Sequence, residues 1–373
     1  MAHLQFPSCE ISTSFECYEN PNGELVVPTN FIIESPSGTK YQILKKLGSG
    51  QFGHVYHAVD VTDPSNNSPQ SVAIKITKSQ YRYRQQAQSE IQMLQKIMDS
   101  TTPEEQCCIS RLFDWFNYND HICIVMELLS LNLYSVLEWR KFHGLQLPLI
   151  QSVARNLLTI LSALKRCEII HCDIKPENVV LADGFSTNVK LIDYGSSIFT
   201  SHTNRFYIQS RYYRAPEVIL ELNYSHPIDM WSYGCLLFEL FTGIPLFPGQ
   251  DEYQMLVFFI QFRGAFPDEM MRATNRRDEF FLQDGTLKCP EQYYAEKGIN
   301  PNPIPKIFQL DNITEIVLNY ESGIGDTAEE RKIERDRRIM FIDFIEKLLA
   351  LDPRERMETD AAANHPFITT DFS

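Results

Sequence analysis

Apolar and polar positions divide this chain into an early part that reads as strands and a later part that reads as helices. From Tyr41 the apolar residues fall in short runs bounded by turn formers: Tyr41–Leu47, Val55–Val59, Val72–Ile76, Cys108–Phe116 and Ile122–Glu127. One helical stretch interrupts them, from about Arg82 to Met98, with Ile91, Leu94 and Ile97 on one side. After Leu131 the spacing becomes helical. The clearest cases are Val153–Arg166, where Val153, Leu157, Leu158, Leu161 and Leu164 share a face, and the apolar run from Asp229 to Phe241. Closing helices are expected around Met340–Leu351 and Thr359–Asn364. Residues 1–40 are polar, with Pro7, Pro21, Pro28 and Pro36 spread through them. They read as an extension draped over the first domain, with room for short strands at Glu24–Val27 and Phe31–Glu34. Residues 264–335 read as polar and irregular.

Composition narrows the class. The 373 residues suffice for a sizeable core, and the formal charge of −14 argues against nucleic acid or a membrane surface as main partner. No run approaches the length of a membrane span, and Met1–Glu10 lacks a signal-peptide core. The nine cysteines form no Cys-x-x-Cys pair, which suits reduced thiols. A soluble, intracellular protein, cytoplasmic and/or nuclear and monomeric, is expected.

The candidate chemistry centres on His171-Cys172-Asp173-Ile174-Lys175-Pro176-Glu177-Asn178, followed by Asp193-Tyr194-Gly195. Asp173, Lys175, Asn178 and Asp193 stand between apolar runs, a layout that sets carboxylates and an amide on short loops at strand ends. Phosphoryl transfer needs such a set: one carboxylate to orient a hydroxyl, another to hold metal, and an amide for a second metal. Upstream, Leu47 leads into Gly48-Ser49-Gly50-Gln51-Phe52-Gly53, between two strands rather than a strand and a helix. That context disfavours a dinucleotide fingerprint and favours a lid whose backbone N–H groups approach phosphate. Lys75 interrupts a buried strand and needs an anionic partner, for which Glu90 on the following helix is the candidate. Met126-Glu127-Leu128-Leu129 reads as an inter-domain connection offering backbone groups to adenine. Val55 and Ala73 are candidates for its ceiling and Val180 for its floor.

Taken together, these motifs resemble a eukaryotic protein kinase over about residues 41–368. Ala215-Pro216-Glu217, Asp229…Gly234 and Asp352-Pro353-Arg354-Glu355-Arg356 extend the match. Gln86-Ala87-Gln88-Ser89-Glu90, Leu131-Asn132-Leu133-Tyr134, His171-Cys172-Asp173 and Tyr207-Ile208-Gln209-Ser210-Arg211-Tyr212-Tyr213-Arg214 resemble the dual-specificity tyrosine-regulated (DYRK) family of the CMGC group, with its Yak and homeodomain-interacting branches. The resemblance implies an α+β, bilobal fold: a β-rich N-lobe over 41–127 and a helical C-lobe over 128–368, with ATP in the cleft and an insert at about 264–335. It implies that Asp173 orients the substrate hydroxyl, Lys175 neutralises the moving phosphoryl, Asn178 and Asp193 hold Mg²⁺, and Lys75 with Glu90 places the nucleotide. Glu217 would pair with Arg356. Tyr207 would be the autophosphorylated activation-loop tyrosine, with Arg211 and Arg214 as its phosphate fork because Cys172 replaces the usual arginine. Glu177 and Glu239 would receive a basic residue of a proline-directed Ser/Thr protein substrate.

The sequence departs from the pattern at Tyr194, usually phenylalanine, whose hydroxyl needs a partner. It departs again at Arg205, which removes the first tyrosine of a Tyr-x-Tyr pair. Two other readings remain, a pseudokinase scaffold that binds nucleotide and a small-molecule kinase. The first predicts loss of Lys75, Asp173, Asn178 or Asp193, and the second has no need of a peptide-binding loop.

Overall fold

Six of the early apolar runs become neighbouring strands. The structure, a computed structural model, describes residues 17–184, 187–203, 207–321, 325 and 327–372; Met1–Glu10 and Arg205 lie outside them. The strands are β1 (Tyr18–Glu19), β2 (Leu25–Val26), β3 (Ile32–Glu34), β4 (Lys40–Gly50), β5 (Gly53–Asp60), β6 (Ser71–Thr77), β7 (Leu112–Tyr118) and β8 (His121–Glu127). β3 to β8 form one antiparallel sheet in the order β3-β4-β5-β6-β8-β7, while β1 and β2 pair as a hairpin. Directly opposed residues share a face, so Val55, Lys75 and Ile124 lie on one side with Ala73 and Met126. On that side α1 (Tyr81–Ser100) packs Ala87 and Ile91 against Ile122 and Ile124. Against the other face the extension buries Leu25 and Val27 with Ile33, Ile43, Ile74 and Ile76.

The extension is therefore part of the sheet unit. A boundary at residue 41 would divide β3 from β4, which are hydrogen-bonded. Tyr56 donates its hydroxyl to the Leu25 carbonyl, Ser79 N–H donates to the Gly23 carbonyl, and Lys78 pairs with Glu24 at 3.2 Å.

The chain forms two units, one of residues up to Ile91 with Leu112–Leu128, the other of Gln92–Arg111 with everything from Leu129 onward. The second is mainly helical. In order come α2 (Pro103–Gln106), α3 (Leu133–Trp139), α4 (Leu147–Arg166), β9 (Ile169–Ile170), β10 (Val179–Leu181), β11 (Val189–Leu191) and β12 (Ile198–Phe199). They are followed by α5 (Pro216–Ile219), α6 (Pro227–Thr242), α7 (Glu252–Arg263), α8 (Asp268–Ala273), α9 (Arg277–Phe280), α10 (Pro290–Lys297), α11 (Ile313–Asn319), α12 (Ala328–Leu348), α13 (Thr359–Ala363) and α14 (Pro366–Thr369). Its core is α6, all but its first residue buried, beside α4 and α12.

Three sequence expectations need correction. The strand expected from Cys108 begins at Leu112, because Thr102 and Glu105 form a capping box that starts α2 just upstream. Residues 264–335 are not irregular: α8 to α11 and the start of α12 lie there. Pro290 opens a helix rather than breaking one, Asn312 caps α11, and Thr327 with Glu330 boxes α12, which starts well before Met340. Finally, α4 is long and apolar enough to cross a membrane by length and composition; most of its residues are buried in the protein, as in a core helix.

Candidate active site

In the sheet unit the glycine-rich turn closes the β4–β5 hairpin. Leu47, Gly48, Ser49 and Gly50 end β4, Gln51 and Phe52 turn, and Gly53 opposes Gly50. The glycines serve different ends. A Cβ on Gly53, whose φ is +149°, would fall 2.0 Å from the Ile76 carbonyl, so only glycine lets β5 lie against β6. A Cβ on Gly48 or Gly50 would meet nothing within 4 Å, which leaves open space beside that stretch of backbone. Lys75 donates to both Glu90 oxygens, at 2.9 and 2.8 Å, and its ammonium stands 5.7 Å from the Phe52 ring. Lys75 is 8% and Glu90 2% exposed, so the pair is held out of water. Ala73 lies opposite Met126, with Glu127 next along β8.

In the helical unit β10 and β11 form a hairpin, and Val180 bridges to Asn132 just after Leu129. The loop from His171 is fixed by Asp229 on α6. One Asp229 oxygen accepts the His171 N–H at 2.7 Å, and the other accepts the Cys172 N–H at 3.0 Å. Burial pushes the Asp229 carboxyl up to about 7, against the pull of those two donors. Cys172 adopts φ +64°, a strained turn that this clamp stabilises. His171 Nε2 donates to the Ile192 carbonyl at 3.2 Å and its Nδ1 accepts the Asp173 N–H, which defines a neutral tautomer. Burial lowers its pKa, consistent with that assignment.

Asp173 thereby sits at the centre of a compact polar group. Lys175 Nζ lies 2.8 Å from Asp173 Oδ2 and donates to Ser210 Oγ at 2.9 Å, while Ser210 Oγ donates to Asp173 Oδ1 at 2.7 Å. Asn178 Nδ2 donates to the Asp173 carbonyl and to Oδ2 at 2.8 and 3.0 Å. Asp193 follows β11 in a left-handed conformation, φ +64°. Asn178 and Asp193 offer an amide and a carboxylate oxygen, hard donors of the kind Mg²⁺ takes beside water and phosphate oxygens. Among the described residues no group of three His, Cys, Asp or Glu side chains is gathered for a metal. A metal that borrows most of its ligands from phosphate needs none. Tyr194 stacks edge-on against His171 at 5.1 Å, but its buried hydroxyl has no hydrogen-bond partner among the described residues.

Beyond the loop, Tyr207 is 75% exposed, with the Arg214 guanidinium 4.3 Å from its ring. Hydrogen bonding to Arg214, then to Arg211, lowers the phenol pKa. Arg214 continues to Glu252 at 3.1 Å, and Glu252 to Arg276 at 2.8 Å. Arg211 also donates to the Gln250 carbonyl. Glu177 and Glu239 line one cavity of about 500 Å³ with Lys175 and Ser210. Glu177 is exposed, whereas Glu239 is buried, accepts the Tyr213 hydroxyl at 2.6 Å, and is pushed up to about 7 by burial. As expected, Glu217 pairs with Arg356, at 2.6 and 2.9 Å.

Sequence reasoning missed Ser210, the structural use of Asp229 and the role of Gln209. The Gln209 side chain ties the Ile228 carbonyl, the Ser232 hydroxyl and the Ala215 N–H together. Single polar residues, whether in a loop or at the start of a helix, carry no periodicity that would single them out.

The family described as "Protein kinase domain" matches residues 41–368. The chain is 39% identical to "Serine/threonine-protein kinase ppk15" of Schizosaccharomyces pombe, over 94% of this chain and 66% of that one. It is 38% identical to "Probable serine/threonine-protein kinase yakA" of Dictyostelium discoideum, over 98% of this chain and 26% of that one. It is 35% identical to "Dual specificity protein kinase YAK1" of Saccharomyces cerevisiae, over 94% and 45%. The chain thus spans less than two thirds of the length of each of these relatives.

Proposed function

This chain belongs to the protein kinase family and is similar within it to the Yak and DYRK kinases, and from that premise we propose that it transfers the γ-phosphoryl group of ATP to serine or threonine of protein substrates. The observation that carries the reading is the Asp173–Lys175–Ser210 triangle, set on a loop that Asp229 and a neutral His171 hold in place. Asp173 accepts the proton of the incoming hydroxyl. Lys175, already beside that carboxylate, moves with the phosphoryl as negative charge builds on it. Lys75, steadied by Glu90, binds the α- and β-phosphates. Asn178 and Asp193 would hold Mg²⁺, which when bound neutralises charge on the phosphate oxygens. Ser210 keeps Lys175 and Asp173 in register, so that proton transfer needs little reorganisation.

We further propose that the protein phosphorylates its own Tyr207. A phosphate there would stand between Arg214 and Arg211, whose guanidinium groups already attract the phenolate form. For the substrate, an arginine preceding a Ser-Pro or Thr-Pro site suits the exposed Glu177. Glu239 supports this from behind Tyr213 rather than by direct contact.

The test is transfer from Mg-ATP to an Arg-containing Ser-Pro peptide by the purified chain, against Asp173→Asn, with Tyr207 mapped for phosphate in the same sample. Transfer reduced about 10²–10⁴-fold in Asp173→Asn supports the reading. Nucleotide binding with no transfer to peptide or self would sink it and leave a scaffold. Transfer without phosphate on Tyr207 would remove the maturation step alone.

A further inference from the structure

Where α4 ends, α6 begins and α13 starts, the helical unit leaves a cavity of about 330 Å³. Leu161 and Leu164 of α4, with Pro227 and Met230 of α6, give it an apolar wall. Lys165 and Glu358, also in its lining, pair with each other at 2.5 Å, so neither is left as an unneutralised charge for a ligand to answer. Two buried polar atoms in the lining residues have no hydrogen-bond partner among the described residues: Nε2 of His226 and Oγ1 of Thr359, a residue only 4% exposed. Buried polar groups without partners are few in folded proteins, and each costs stability until something meets it. Burial also lowers the His226 pKa, against the opposing pull of the Ile169 backbone, which favours a neutral ring. The site therefore offers a ring nitrogen at His226 and a hydroxyl at Thr359 beside an apolar chamber, within the size range of small-molecule pockets.

The remaining lining residue of consequence is Asp229, the carboxylate that holds the His171 and Cys172 N–H groups. We propose that this cavity binds a small neutral molecule with an apolar body and one hydroxyl or carboxamide, and that binding steadies the His171–Asp173 segment through Asp229. The apolar body fills the space among Leu161, Leu164 and Met230, and the polar group meets His226 and Thr359. An ion is disfavoured because the only charged side chains in the wall are already committed. Neither transferred phosphate nor peptide substrate takes part; the site meets the machinery described above at Asp229.

The test uses 4-ethylphenol as probe on the full chain carrying [¹³C-methyl]methionine, with the Met230 resonance assigned through Met230→Leu. Hydrogen exchange across residues 169–175 is read in parallel. Neither measurement needs turnover, so its outcome is independent of the kinase reading. The expected result is a saturable shift of the Met230 methyl, slower exchange at the His171 and Cys172 amides, and affinity weakened about tenfold in Thr359→Val. Leu164→Trp, which fills the cavity, should abolish the shift while melting temperature and basal transfer are retained. Should Leu164→Trp fail to fold, Thr359→Val carries the test alone. No saturable shift, a shift indifferent to Thr359→Val, or binding without slower exchange in the loop would each overturn the proposal.

Discussion

Each unit holds a buried ion pair with both partners almost wholly out of water, and these two pairs are built differently. In the helical unit, Arg356 places its guanidinium fork on both Glu217 oxygens and on the Ala350, Pro227 and Leu351 carbonyls. In the sheet unit, Lys75 meets Glu90 as a compact ammonium at the end of a flexible stem. A planar fork satisfied by five contacts locks its surroundings. An ammonium can instead share its donors with an arriving phosphate. The same physics, charge paired out of water, thus yields a strut in one unit and, on the proposed function, a working contact in the other.

Removing one partner should separate them. Arg356→Met leaves a carboxylate buried without its cation and is expected to destabilise the protein by about 3–5 kcal/mol, read as a fall in denaturant midpoint. If the loss were under 1 kcal/mol, the strut would be ornamental. Lys75→Met should instead reduce phosphoryl transfer by about 10²–10³-fold. An unchanged rate would mean that Lys75 does not touch the nucleotide.

Two further buried groups sharpen the contrast between satisfied and unsatisfied polarity. Tyr194→Phe removes the hydroxyl that no described group meets. It is expected to raise stability by about 1–3 kcal/mol, and a loss would reveal a partner such as an ordered water. The smallest effect concerns Glu239, whose carboxyl is raised from 4.5 to about 7 chiefly by burial. Between those values the folded state retains a proton that the unfolded state has released. The stability it contributes therefore declines as pH rises from about 4.5 to about 7. Glu239→Gln should flatten that part of the melting-temperature profile, and an unchanged slope would place the titration elsewhere.

Much of this was legible in the sequence because it is periodic or local. The strands from Tyr41 to Glu127 are short apolar runs bounded by turn formers, and the octapeptide from His171 keeps its chemistry within a few residues, so runs located the first and resemblance to a known motif the second. Helices α8 to α11 were not legible. They are short, and their start signals, Pro290 and Asn312, double as loop formers. The Lys75–Glu90 pair could be guessed because a lysine in a buried strand demands an anion. The clamp of Asp229 on His171 and Cys172 could not, since its members stand far apart in the chain and share no pattern.

The distance between Glu217 and Arg356 along the chain has a consequence for synthesis. During translation α5 and the start of α6 emerge long before the residue that neutralises Glu217. Gln151 and Arg155 of α4 wait longer still, for the carbonyls of Phe367, Ile368 and Thr370. The helical unit is therefore expected to settle only as its last residues leave the ribosome, whereas all strands of the sheet unit have emerged by Glu127. A nascent chain arrested shortly before Arg356 should thus hold a protected sheet unit above a protease-sensitive helical one.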